Sequence, residues 1–345
     1  RGALAARYGD EEFPDSTDWK KNRDYILENP VSKWLGAGLP NVMDRLSPSE
    51  KYSLLIGDEN HTLSEAIWKD GQRYYDAYGE VETWFGLCHG WAAAAFMLPR
   101  PEKSVTIKSA DGRYDIKFYP SDLKGLATYL WANWAPPSRL IGGRCNDKTP
   151  KLDENGRAVS RDCFDTNPGT WHMAIVNQIG ASQRGLVLDA TYDYQVWNQP
   201  LYSYEYTYFN PQTGEPMDTL EQAKVELSKF TADKFKKYRS PQTHSVVGVA
   251  MNVSYMIETT ASRLETDSPV SDEMRQVLYL YDVELSSSGE IIGGEWYKNF
   301  HPDFLWTPPA GAKARSYLDG YAQGEWDPAT QPLPPAQWLE IARAG

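Results

Sequence analysis

The segment Trp84-Phe85-Gly86-Leu87-Cys88-His89-Gly90-Trp91-Ala92-Ala93-Ala94-Ala95-Phe96-Met97-Leu98-Pro99 decides how this chain is read. Alanine is the best helix former and proline the firmest stop, so the stretch predicts a buried helix opening at Cys88 and ending before Pro99. The first turn of a helix has unpaired amides and the positive end of the macrodipole, and both favour a thiolate over a thiol. Gly86 and Gly90, flanking Cys88, let other backbone approach closely. A small cysteine buried in a core is the ordinary alternative. The choice therefore rests on what else the chain can bring to the sulfur.

A thiolate that attacks a carboxamide needs a base, and there are five histidines: His61, His89, His172, His244 and His301. His172 sits in Trp171-His172-Met173-Ala174-Ile175-Val176, within a run over 170–179 that reads as a buried strand. A polar ring there requires a partner. The next strand, over 185–191, carries Asp189 among Leu186, Val187, Leu188 and Ala190. A hairpin with its loop at Gly180-Ala181 would set 172 against 189, and a two-residue slip would keep both on one face. In this reading Cys88 is the nucleophile, His172 its base and then acid, and Asp189 the group that orients the imidazole. Asp193 has the same parity and is the second candidate for that last role. The competing reading is a structural His–Asp hydrogen bond inside a sheet. His89 lies about a quarter-turn from Cys88 on a helix, as a structural or lining residue. Trp84, Trp91 and Trp171 are either core aromatics or walls of a water-poor acyl-donor channel, where an acyl-enzyme could await an amine.

The rest of the pattern is α+β. Residues 1–60 are charged, helix-like and punctuated by Pro14, Pro30, Pro40 and Pro48, forming an N-terminal helical segment, either a pro-region or integral. Residues 61–345 form the catalytic domain. A helical pattern runs from Ser64. A hairpin follows over 105–108 and 114–119 with a turn at Asp111-Gly112, then a helix through Leu123 to Trp134 capped by Ser121. Strands are expected at 202–209, where tyrosines fall at every second position, and at 245–257, 276–285 and 291–298. A long amphipathic helix is expected over 219–238. From Trp306 the Pro- and Gly-rich end is expected to wrap the surface. The nucleophile helix is expected to pack on an antiparallel sheet that carries His172 and Asp189.

Composition bounds the function. The chain has 345 residues, 41% hydrophobic and 13% aromatic, which excludes a disordered or fibrous protein. A formal charge of −12 without a basic cluster argues against a nucleic-acid partner. No apolar run approaches the roughly 20 residues of a membrane span. Of three cysteines, Cys145 and Cys163 bracket a polar loop whose closure by a disulfide would contribute about 3 kcal/mol. That pairing implies an oxidising compartment, hence secretion, and leaves Cys88 as the odd, reactive thiol. Sequons at Asn60 and Asn252 are compatible with secretion. Zinc is remote because no second ligand pair is nearby, and Asp147, Asp153 and Glu154 read as solvated loop charges.

Three motifs carry a resemblance. The Cys-His-Gly-Trp-Ala run at 88–92 and Gly-Gly-Glu-Trp-Tyr at 293–297 with His301-Pro302-Asp303-Phe304 look like the elicitor-type transglutaminase family, found in oomycetes and bacteria. Val196-Trp197-Asn198-Gln199-Pro200 resembles the start of the elicitor peptide of the oomycete cell-wall enzymes. The continuation Leu201-Tyr202-Ser203-Tyr204 departs from the basic, glycine-bearing sequence of that peptide. The resemblance implies a papain/transglutaminase-like core, secretion, and cross-linking of protein glutamine to a lysine or other amine. It also implies possible calcium dependence, for which the sequence has no EF-hand loop. The alternatives are a cysteine peptidase or deamidase with water as acceptor, and a catalytically silent effector or surface protein.

Overall fold

The computed structural model describes residues 7–314, apart from Leu39, Asp165, Tyr192, Asp193 and Asn299. Asp193, the second candidate acid, and most of the Pro- and Gly-rich end therefore lie outside the described residues. The chain divides into two compact units. One runs to Pro136 and takes back Thr259–Ser271 and 311–314, and the other comprises Pro137–Glu258 and Asp272–Ala310. Among the described residues, no helix is long and apolar enough to cross a membrane.

The first unit is mainly helical: α1 (Trp19–Glu28), α2 (Val31–Gly36), α3 (Val42–Arg45), α4 (Pro48–Ile56), α5 (Thr62–Tyr78), α6 (Cys88–Met97) and α7 (Pro120–Trp134). Between α6 and α7 stands the hairpin β1 (Val105–Lys108) and β2 (Asp115–Phe118). Local chemistry sets the boundaries. Ser47 and Glu50 close a reciprocal capping box around Pro48 at the start of α4, and Gly57 ends that helix at φ +74°. Helix α7 begins at Pro120, one residue ahead of the expected cap Ser121, because the Asp122 carboxylate accepts the Tyr119 amide at 2.7 Å. Asp122 also accepts from the buried Lys51 ammonium (2.7 Å) and the Tyr8 hydroxyl (2.9 Å). One fully buried carboxylate thus ties α4, α7 and the chain before α1 together. Tyr52, Leu63, Ile116, Phe118 and Leu126 fill the core around it.

The second unit holds β3 (Arg139–Gly142), α8 (Pro168–Ile175), β4 (Val187–Asp189), β5 (Asn198–Phe209), β6 (Pro216–Met217), α9 (Leu220–Ala223), β7 (Val225–Glu226), β8 (Ser245–Ile257), β9 (Glu273–Leu285), β10 (Ile291–Gly293) and β11 (Phe304–Thr307). These strands make one antiparallel sheet in the order β10-β9-β8-β5-β4-β11-β3, with β6 on β5 and β7 on β8. Strands β8 and β9 pair along their whole length, from Ser245 opposite Leu285 to Ile257 opposite Glu273. Val247, Val249, Met251, Tyr279, Tyr281 and Val283 form the centre of the core. Cys145 and Cys163 are disulfide-bonded, as the polar loop between them suggests.

Four expectations are corrected. The run over 170–179 is helical, because Asn167 accepts the Gly169 amide and Pro168 occupies the first helical position. Periodicity cannot separate a short apolar strand from a buried helix. His172 therefore stands on α8, not on the sheet with Asp189, and 189 pairs with Asn198 rather than 172. The long helix over 219–238 is reduced to α9, since Val225 and Glu226 leave it to pair with β8. The strand at 291 stops at Gly293, and Trp306 lies within β11, between β4 and β3, rather than in a surface wrap.

Within its unit, the partner of α6 is another helix. A Cβ on Gly90 would lie 2.1 Å from the Thr128 carbonyl and 2.7 Å from the Ala132 side chain, so α6 and α7 meet there backbone to backbone. A Cβ on Gly86 would meet nothing within 4 Å. Gly90→Ala should therefore lower thermal stability by about 1–3 kcal/mol through overpacking. Gly86→Ala should stay within about 0.5 kcal/mol of wild type. Equal melting temperatures for the two variants would contradict this packing.

Candidate functional site

In the first unit, a turn closed by the Phe85 amide on the Glu82 carbonyl delivers the chain to α6. Leu87 precedes the helix, and no side chain caps it. The Leu87 carbonyl receives the Gly90 amide (2.9 Å) and the Trp91 amide (3.1 Å). The amides of Cys88 and His89 precede any intrahelical acceptor, which is the general condition of a helix start. The first turn contains no acid, and the macrodipole and these amides favour negative charge there. Cys88 is half-buried and stands outside the disulfide.

The neighbours of Cys88 take separate roles. Trp91, three residues on, shares its helix face and is half-buried. Trp84 packs edge-on to Tyr74 (6.5 Å), within a cluster where Tyr74 also meets Phe85 (3.9 Å) and Tyr78 (4.6 Å). His89 is exposed, and its ring is hydrogen-bonded to the backbone of Ala132 on α7. That bond joins α6 to α7.

His172 and Asp189 belong to the second unit. Helix α8 lies against β10 so closely that a Cβ on Gly169 would sit 2.4 Å from the Gly293 carbonyl. This contact seats His172 over the tyrosines of β5 and β9. Its Nδ1 is 2.8 Å from the Tyr281 hydroxyl, and its ring meets Tyr206 edge-on at 5.0 Å. Burial lowers its pKa to about 4, so the imidazole is neutral at pH 7. Burial likewise raises the Tyr281 hydroxyl well above the usual phenol range, keeping it protonated. Trp171, the residue before, is fully buried between Tyr279 (5.3 Å) and Trp296 (5.8 Å), which makes it a core aromatic.

Asp189 ends β4 and is fully buried. Its Oδ1 accepts the Trp197 amide (2.9 Å), the Thr191 amide (3.3 Å) and the Thr191 hydroxyl (3.0 Å). Its Oδ2 has no hydrogen-bond partner among the described residues. Burial wins over these donors and raises the carboxyl to about 6. The expected bond between Asp189 and the imidazole is not made in this arrangement, since Tyr281 occupies Nδ1.

Sequence reasoning missed Tyr281, which has no local signal, and read the alternating tyrosines of β5, Tyr206 among them, only as a strand. It also missed a buried ionic group in which Arg239 bonds Asp282 (2.6 and 2.7 Å) and Asp233 (3.1 Å). Beside it Glu295 is raised by burial to about 7, while Arg157 bonds it at 3.0 Å. Each charge there faces an opposite one, as in a structural network. Among the described residues, no three His, Cys, Asp or Glu side chains converge to hold a metal ion. Calcium stays an implication of the resemblance, and the reaction proposed for this chain does not use it.

The two titrations have opposite signs. His172 takes up a proton on unfolding between pH 6.5 and about 4, so acidification through that window destabilises the fold. The folded chain holds the Asp189 proton more tightly than the unfolded one, so that contribution is present below pH 3.8 and lost as pH rises through about 6. Comparison with His172→Gln cancels the Asp189 contribution. Between pH 6.5 and 4 the wild type should lose up to about 3 kcal/mol relative to the variant in denaturant unfolding. Parallel pH curves would contradict a buried, neutral His172.

The comparisons with known proteins agree with this architecture. The transglutaminase elicitor family model matches residues 69–319. No curated protein matches significantly. The fold is similar to that of the GP42 transglutaminase from Phytophthora sojae, with 22% sequence identity, coverage of 87% of this chain and 83% of that one, and a TM-score of 0.55. The matched region spans α6, α8 and the whole sheet, and the chain belongs to the transglutaminase elicitor family.

Proposed function

We propose that this protein is a secreted protein-glutamine γ-glutamyltransferase that joins glutamine and lysine side chains through a thioester on Cys88. The observation that carries the reading is Cys88 itself, a half-buried thiol at an uncapped helix start in a chain of this family. The Cys145–Cys163 disulfide supports an oxidising, extracellular setting.

In the proposed reaction the Cys88 thiol gives its proton to His172, and the sulfur attacks the glutamine carboxamide carbon. The oxyanion is stabilised by amides of the first turn of α6. The imidazolium returns the proton to the departing nitrogen, so ammonia leaves and a thioester remains. A lysine amine then attacks the thioester carbon and loses a proton to His172. The C–S bond breaks, giving an isopeptide and restoring the thiol. A neutral imidazole is the required starting state, and burial of His172 supplies it. Asp189 is assigned the compensating negative charge, because its Oδ2 remains a buried acceptor without a donor.

The test incubates the protein with a glutamine donor peptide and a fluorescent primary amine. Wild type should release ammonia and incorporate the amine. Cys88→Ala should lose both activities while keeping its melting temperature, and Asp189→Asn should lower kcat by about 10- to 1000-fold. Ammonia release without amine incorporation would establish a deamidase instead. Undiminished turnover in Cys88→Ala would end the reading.

A further inference from the structure

We infer that Tyr281 is the positioning residue for His172, accepting its Nδ1–H and leaving Nε2 with the lone pair that takes the thiol proton. The inference rests on the assignment of His172 as the base and adds the group that sets its tautomer.

The hydroxyl of Tyr281 lies 2.8 Å from Nδ1 of His172 and 3.8 Å from Sδ of Met251, and the Trp171 indole N–H beside it can only donate to its oxygen. A thioether sulfur can only accept, so the hydroxyl proton must point at Met251 for that contact to be a hydrogen bond. The phenol oxygen is then an acceptor, and Nδ1 must donate. This one assignment satisfies both contacts at once. The opposite one, with the hydroxyl donating to Nδ1, leaves the sulfur contact unmade and places a proton on Nε2, where it would block proton uptake. No hydrogen bond joins Asp189 to the ring: its Oδ1 serves Trp197 and Thr191, and its Oδ2 has no partner among the described residues. Tyr206 packs edge-on to the ring and limits its rotation. Tyrosine is suited to this place. In a core where burial keeps the phenol neutral, it orients the imidazole without introducing a second buried charge.

The inference makes a prediction about the resting protein that does not depend on turnover. Long-range proton–nitrogen correlation spectra of 15N-histidine protein, with His172 identified by its loss in His172→Gln, should show the Nδ1–H tautomer. Tyr281→Phe should mix the tautomers and lower kcat by about 10- to 100-fold while KM changes less than about twofold. Met251→Leu should shift the same signals in the same direction by releasing the hydroxyl proton toward Nδ1. A purely structural Tyr281 would alter stability without moving the tautomer. An Nε2–H tautomer in the wild type overturns the inference. So does wild-type kcat in Tyr281→Phe while His172→Gln is inactive, an outcome that leaves the base assignment standing. Full activity in His172→Gln overturns both.

Discussion

The contact at Gly90 is the constraint on which the proposed nucleophile depends. Two helices can meet backbone to backbone only where neither has a side chain in the way, and Gly90 faces the carbonyl of Thr128 and the Ala132 side chain at such a point. Cys88 is two residues earlier. Once α7 is anchored through Asp122, the contact determines where the first turn of α6 stands and which way its amides point. The proposed chemistry draws on what that turn lacks: it has no capping side chain and no acid, so the field of the helix end favours a negative sulfur.

The second unit solves a different problem, keeping an imidazole neutral at physiological pH. It does so by desolvation, since the His172 ring is almost wholly buried between its own helix α8 and the tyrosines of the sheet. The cost of burying a polar ring is offset by a hydroxyl rather than a carboxylate, which avoids an ion pair in a dry site. Asp189 is managed separately, held by backbone and threonine donors on one oxygen. Cross-strand tyrosines form the common floor. They are large and rigid, and their hydroxyls are spread along the sheet.

Much of this was legible in the residues. The alanine run and Pro99 marked α6, and the strand expected over 245–257 is β8, with the bounds Ser245 and Ile257. Two polar-loop cysteines marked the disulfide. His172 was singled out as a polar ring in an apolar run, but its element was misread, because the deciding residues, Asn167 and Pro168, lie just before the run. The helix expected over 219–238 failed where pairing with β8 outweighed local propensity at Val225 and Glu226. Tyr281 could not have been found from sequence: its partner is 109 positions away, and nothing adjacent distinguishes it from the other tyrosines of the strand.

The central claim is that an acyl group passes through the Cys88 sulfur. The direct measurement is to mix the protein with a glutamine donor peptide in the absence of amine, quench in acid within the first turnover, and map the adduct by peptide mass spectrometry. The account predicts a mass increase equal to the donor peptide less ammonia, confined to the fragment containing Cys88 and removed by hydroxylamine. An adduct on another residue, or turnover with no covalent intermediate at Cys88, would contradict it.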